Sequence, residues 1–447
     1  MKGSVFVLGS GAAGQGAARS LSALGWDVTL ADGGKIGGTC LWHGCMPKKA
    51  LYHAARLRRE SAAAETFGLG VCDSAYDWQA VLAWKWHSQE TYAGDQENIL
   101  AKAGVRLIKA NAQFVSPDEI ECDSQRFTPD HVIVATGSRS VVLPIPGAEL
   151  ADTSDDALGY PAPPASLLIV GGGFIGMEFA AIYSSFGTRV TLITSAPRPL
   201  EMLDADTSAI ALNRLKRRGV HFANDCRLTG IEGSLSTLTA HFSENGVEHT
   251  GHFERVLLAV GRAPVIDGLG LDVAGINVDA RGHIVVDGHL RTTNPRVWAA
   301  GDAAGGLMQT PVASYEGRTV ASSIDSGTPV AVDCTVLPTT CFTDPQLAQV
   351  GMTEHTAAAA GLAYRVGTTS FEYMGAAVVD DERDGLVKLI FSSGDDRLIG
   401  AHIAGPTASD LIWALAVAIK CGATAETLRE IPGIHPGYSE AIIWASY

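Results

Sequence analysis

Two glycine-rich turns, Gly9-Ser10-Gly11-Ala12-Ala13-Gly14 and Gly171-Gly172-Gly173-Phe174-Ile175-Gly176, constrain this chain more than any other feature. Each follows a short apolar run, Val5 to Leu8 and Leu167 to Val170, and each opens a helical pattern, ending near Gly25 and Gly187. A second β-rich run follows in both cases, Asp27 to Ala31 and Arg189 to Ile193. An apolar run entering a glycine turn marks a buried parallel strand. The first glycine permits the tight turn, the second lets backbone N–H groups approach a pyrophosphate, and the third lets the helix pack on the strand. The chain therefore predicts two dinucleotide-binding units.

The two units differ where each second strand ends. Asp32 stands after the first and can accept hydrogen bonds from ribose hydroxyls. The second ends in Thr194-Ser195 with no acid, and Arg198 is the cation nearby. A carboxylate there would repel a 2′-phosphate, so its absence points towards NADPH, with NADH as the alternative.

A chain of 447 residues exceeds one ordinary core and predicts two to four domains. The net charge of −15 argues against a nucleic-acid or anionic-membrane surface. The apolar run after Ser4 is too short for a membrane span, and the expected location is the cytoplasm. Ala54 to Ala110 reads mostly as helix, with long periodicity from Trp78 to Lys102. Prolines at Pro144, Pro146 and Pro161 to Pro164 mark a boundary, because they break helices and sheets. Beyond Val332 come β-like runs (Gly385 to Phe391, Leu398 to Ile403), a helix near Ser409 to Cys421 and a final helical segment after Ser439. That texture predicts a third, α+β domain.

Of eight cysteines (Cys40, Cys45, Cys72, Cys122, Cys226, Cys334, Cys341 and Cys421), only Cys40 and Cys45 are close in sequence. In a reducing compartment such a pair reads as catalytic or metal-binding. A metal needs further ligands, and only His43 is near. A helix N-terminus beside the pair would lower a thiol pKa. Far downstream, His435 and Glu440 can form a proton-shuttling imidazole and its orienting carboxylate. A histidine beside proline can equally be structural.

With these pieces the chain resembles the class I pyridine nucleotide-disulfide oxidoreductases, the family of glutathione reductase, dihydrolipoamide dehydrogenase and mercuric reductase. The motifs run along nearly the whole chain: both glycine turns, Cys40 to Cys45, Ala135-Thr136-Gly137, Glu178, Gly261-Arg262-x-Pro264, Ala300-Gly301-Asp302, Phe342-Thr343-Asp344-Pro345 and His435-Pro436-x-x-x-Glu440. The resemblance implies an α/β fold of two Rossmann-like domains and a C-terminal α+β dimerisation domain. FAD would occupy 1–145 with 262–331, NAD(P)H 146–261, and the partner of a homodimer 332–447. It implies FAD contacts from Gly9, Gly11, Ala13, Gly14, Asp32, Gly38, Thr39, Ala135, Thr136, Gly137, Gly301 and Asp302. Nicotinamide-nucleotide contacts would come from Gly171, Gly173, Gly176, Thr194, Ser195, Arg198, Gly261 and Arg262. Cys45 would lie nearer the flavin, and Cys40 would attack a small-molecule disulfide. His435 and Glu440 from the second subunit would handle the proton, and Lys48 or Lys49 would pair with Glu178.

Within the family, Lys48-Lys49, Arg19 and the run Thr310-Pro311-Val312-Ala313 leading to Gly317-Arg318 resemble glutathione reductase, with Arg19, Trp42, His43 and Arg318 as candidate substrate contacts. Dihydrolipoamide dehydrogenase is the alternative; a mercuric reductase or a non-turnover flavoprotein sensor fits less well. Several positions depart from the family pattern. Trp42 and His43 replace Asn and Val, Gly437 replaces Thr, and Thr194 and Leu200 stand where glutathione reductase has arginines. Trp84, Trp86 and His87 form an aromatic-rich patch whose simplest role is core packing.

Overall fold

The computed structural model describes residues 2–70, 75–234 and 237–447, so Cys72 lies outside the described residues. The first glycine turn joins Ser4–Leu8 to the helix Ala12–Ala23, which returns to Asp27–Ala31. These strands sit in a five-stranded parallel sheet ordered Val297–Ala299, His131–Val134, Ser4–Leu8, Asp27–Ala31, Arg106–Ile108. The edge strand Val297–Ala299 comes from far downstream, so the chain leaves this sheet, builds a second one and returns.

The excursion contains a four-stranded parallel sheet, His221–Ala223, Arg189–Ile193, Ser166–Val170, Arg255–Leu258. The helix Phe174–Ser185 packs on it, and the antiparallel strands Cys226–Ser234, Thr237–Glu244 and Val247–Phe253 extend the unit. Outgoing and returning chains pair as Ser138–Ser140 with Arg262–Pro264. Beyond Thr339, a five-stranded antiparallel sheet supports the helix Ala408–Lys420. This is a mixed α/β architecture.

The same physics builds both glycine turns. Gly9 and Gly171 take φ of 102° and 116°, where an L side chain is strained. A Cβ on Gly14 or Gly176 would meet the carbonyl oxygen of Gly9 or Gly171 at 1.9 or 2.0 Å. These third glycines serve helix-to-strand packing, as the motif requires.

The three parts share one hydrophobic cluster, with Leu51 and Tyr52 from the cysteine-bearing helix, Ile169, Phe179 and Leu192 from the second unit, and Leu347 and Ala404 from the third. Buried ion pairs also join them. Asp344 meets Arg59 at 3.0 Å, Arg214 at 3.7 Å and Arg218. Lys388, 2% exposed, meets Asp204 at 2.9 Å, Asp206 at 2.5 Å and Glu354 at 2.7 Å. A buried cation of this kind is stable only when paired, so these contacts hold the parts in one arrangement.

The helical stretch is divided more finely than the periodicity predicts: Cys45–Ala63, a 3-10 turn at Ala64–Phe67, Trp78–Lys102, then the strand Arg106–Ile108. Core packing for Trp84 and Trp86 is overturned, since they are 56% and 45% exposed. The helix turns Trp78, Lys85, Gln89, Gln96 and Leu100 inward instead.

Candidate active site

A cavity of about 1650 Å3 runs between both glycine turns and the cysteine pair. That exceeds the usual ~300–1,000 Å3 of a single small-molecule site. Its wall includes Gly9, Gly11, Asp32, Cys40, Cys45, Lys48, Gly137, Gly171, Gly173, Thr194, Gly261 and Asp302. Residues hundreds of positions apart therefore face one space.

The first turn fits a pyrophosphate group. A Cβ at Gly11 would enter open space, whereas one at Gly38 would meet Gly11 Cα at 2.9 Å, so the cysteine segment is seated directly on the turn. Asp32 accepts hydrogen bonds from Ser10 N at 2.7 Å, Ser10 Oγ at 2.5 Å and Gly34 N at 2.7 Å. A carboxylate has about four lone-pair directions, so capacity remains for ribose hydroxyls. Across the cavity, Arg262 Nε donates to Ser138 Oγ at 2.7 Å, and that hydroxyl donates to Asp302. Thr136 lines the cavity, but its hydroxyl donates to the Val265 carbonyl at 2.6 Å.

Cys40 lies in the short helix Gly38–Trp42, and Cys45 is the first residue of Cys45–Ala63. Both are free thiols. Cys45 Sγ stands 3.1 Å from Thr310 Oγ1, at the start of the helix Thr310–Ser326. The Cys45 pKa falls to about 6, chiefly through the hydrogen bond from Cys40, with burial opposing and Thr310 and Lys48 assisting. Cys40 is pushed well above the ordinary thiol range by that same bond and by burial. The pair thus holds its negative charge on Cys45.

The choice between lysines is geometric. Lys48 pairs with Glu178, whose side chain is 2% exposed and whose other oxygen accepts the Phe342 N–H at 2.8 Å. Burial acts against the Lys48 charge, but Glu178 outweighs it and the pKa is raised. Lys49 instead places its ammonium 3.5 Å from the centre of the Phe342 ring.

His435 Nδ1 lies 3.0 and 3.1 Å from the two Glu440 oxygens. The His435 side chain is 76% exposed, so its outer edge faces away from this chain. Glu440 is held below the usual carboxylate range by His435 and the Gly437 N–H. A Cβ at Gly437 would meet the Ile434 carbonyl oxygen at 2.6 Å, which accounts for glycine there.

Arg198, expected among the nucleotide contacts, is turned onto its own loop and does not line the cavity. Its guanidinium donates to the carbonyls of Pro199, Leu200, Glu201 and Leu203, at 3.4, 2.9, 3.0 and 2.7 Å, and so closes its own loop. Arg19 and Arg318 are exposed on adjoining helices, away from the cavity wall, and Arg318 donates to Ser314 Oγ at 2.8 Å. Trp42 and His43 do line the cavity. Trp42 donates to the Ile36 carbonyl at 2.9 Å, and His43 Nδ1 is 3.7 Å from Asp155. Motif reasoning named Thr310 only within a run resembling glutathione reductase, and missed Arg227 and the buried Gln89, whose Nε2 donates to the Leu41 and Trp42 carbonyls at 2.9 and 3.2 Å. Only the inward position of Gln89 on a helical wheel would have signalled it.

Two nucleotide turns opening on one dithiol and its buried lysine–glutamate pair define a nucleotide-linked thiol redox protein. Residues 3–317 match the pyridine nucleotide-disulphide oxidoreductase family, residues 337–446 match its dimerisation domain, and the chain belongs to that family. It is 36% identical to a dihydrolipoyl dehydrogenase of Haloarcula marismortui, over 99% of this chain and 95% of that one. It is 30% identical to a glutathione reductase of Burkholderia cepacia, over 98% and 97%. The crystal structure of LpdA from Mycobacterium tuberculosis superposes with a TM-score of 0.92 at 26% identity, covering 99% and 98%.

Proposed function

We propose that the chain moves electron pairs between a pyridine nucleotide and a small dithiol–disulfide couple, with lipoamide as the first substrate to test. The observation carrying this reading is Cys45, a low-pKa thiol at a helix start that faces both nucleotide turns. The greater identity to the dihydrolipoyl dehydrogenase than to the glutathione reductase favours the lipoyl couple. Glutathione disulfide is the second reading, favoured by exposed Arg19 and Arg318 on helices packed so closely that a Cβ at Gly317 would meet Ala13 O at 2.1 Å. Cationic side chains there suit an acidic thiol compound.

On this reading, residues 1–145 and 262–331 hold FAD, 146–261 hold the nicotinamide nucleotide, and 332–447 contact a second copy. FAD, when bound, relays the electron pair between nucleotide and dithiol. Cys40 Sγ gives its proton to His435 of the partner subunit and attacks one sulfur of the substrate disulfide, forming a mixed disulfide while the departing thiolate takes that proton back from the imidazole. The Cys45 thiolate then attacks Cys40 Sγ, releasing the second thiolate and closing the Cys40–Cys45 disulfide. Two electrons from the nucleotide reopen it. Oxidation of a dithiol runs the same steps backwards. Lys48 stays charged beside Glu178, placing a fixed cation by Cys45.

Steady-state assays of the flavin-loaded protein, pairing NADPH and NADH with lipoamide and oxidised glutathione, and NADP+ and NAD+ with dihydrolipoamide, test the proposal. Turnover with lipoamide or dihydrolipoamide that Cys40→Ser abolishes is expected. Turnover that survives Cys40→Ser would overturn it.

A further inference from the structure

The strand end after the second glycine turn lacks a carboxylate, and Arg198 is committed to its own loop. Another cation faces the same place. Cys226 N donates to the Thr194 carbonyl at 2.8 Å, and Asp225 N to that of Ala196 at 3.2 Å, so the strand Cys226–Ser234 starts against the end of Arg189–Ile193. Arg227 follows directly, is exposed, and lines the cavity with Thr194 and Ser195. Its guanidinium enters no ion pair among the described residues. A Cβ at Gly172 would lie 3.1 Å from Thr194 Cβ, so this corner sits beside the phosphate turn, one ribose away from where a pyrophosphate would be held.

We infer that Arg227, with the Ser195 hydroxyl, holds the 2′-phosphate of an NADP-type nucleotide and sets the nucleotide preference of this chain. The inference rests on reading 146–261 as the nicotinamide-nucleotide site. A guanidinium offers bidentate, charge-assisted hydrogen bonds to a phosphate, and a serine hydroxyl adds one donor. No acid among the described residues forms an ion pair with Arg227: Glu244 stands opposite Cys226, Glu248 opposite Ser243 and Asp225 in the preceding exposed turn, so their charges offset only part of the cation's field.

The test is calorimetric binding of 2′,5′-ADP and 5′-AMP to the flavin-loaded protein and its Arg227→Ala and Arg227→Lys variants. The wild type binds 2′,5′-ADP the tighter. Arg227→Ala loses roughly 10- to 100-fold of that affinity, the scale of charged hydrogen bonds, while 5′-AMP binding is unchanged and Arg227→Lys keeps part of the preference. Undiminished preference in Arg227→Ala would overturn the role of Arg227 and leave the NADP reading standing. Equal wild-type binding of both ligands would remove both. Parallel loss for both ligands in Arg227→Ala would assign Arg227 to the adenosine and overturn its phosphate role.

Discussion

Cys45 Sγ lies 3.1 Å from Thr310 Oγ1, which brings the starts of two long helices to one sulfur. Helix starts carry partial positive charge and favour a thiolate. With its pKa near 6, Cys45 in the dithiol protein is mostly thiolate at neutral pH and is protonated as pH falls through about 6. Its alkylation by iodoacetamide, mapped by mass spectrometry, is expected to show that midpoint. Cys40→Ala removes the largest stabilising hydrogen bond, so the midpoint should rise; an unmoved midpoint would contradict the assigned cause.

His435 and Glu440 supply the second prediction. His435→Ala is expected to slow disulfide turnover by roughly two to four decades, the usual contribution of a positioned acid or base. Glu440→Gln keeps the shape but loses the charge that steadies a protonated imidazole. Turnover should then fall, by less than in His435→Ala. Near-normal rates in His435→Ala would remove it from proton transfer.

Breaking the Lys48–Glu178 pair leaves a charge in a site with little solvent, where Lys48 is 18% and Glu178 2% exposed. Removing one partner of a buried pair costs roughly 3–5 kcal/mol. Glu178→Gln is therefore expected to lower the denaturation midpoint clearly and, because the Glu178 charge raises the Cys45 pKa, to let the Cys45 midpoint fall while Lys48 stays charged. Replacing Lys49, which forms no ion pair or hydrogen bond with Glu178 among the described residues, should do neither.

Glu316, 8% exposed, accepts the Gly301 N–H at 2.7 Å beneath the Asp302 turn. Burial raises its pKa from 4.5 to about 7, against the hydrogen bond from Gly301. A carboxyl raised on folding binds its proton more tightly in the native state. Its stabilising contribution is full below pH ~4.5 and is lost as pH rises through about 7, an amount on the order of 3 kcal/mol. Chemical denaturation across that window is expected to show Glu316→Gln losing this dependence; an unchanged slope would reject it.

The strands and helices around both glycine turns were legible because their signals are local: apolar runs, turn glycines and a strand-end Asp32 within one unit. The positions of Cys40, Cys45, His435 and Glu440 were legible for the same reason, being short motifs. Neighbouring residues on one helix are equivalent in composition but point about 100° apart. Packing alone decided that Lys48 meets Glu178 while Lys49 covers the Phe342 ring, and that Trp84 and Trp86 face outward while Lys85 and Gln89 turn in. Arg198 and Arg227 show the same division. Proximity in sequence favoured Arg198, but its loop needed donors for four carbonyls, and strand pairing brought the distant Arg227 to the open corner. Local chemistry was thus determined by the sequence itself; which of two like charges faces the cavity was decided by the tertiary structure, because only long-range packing selects a face.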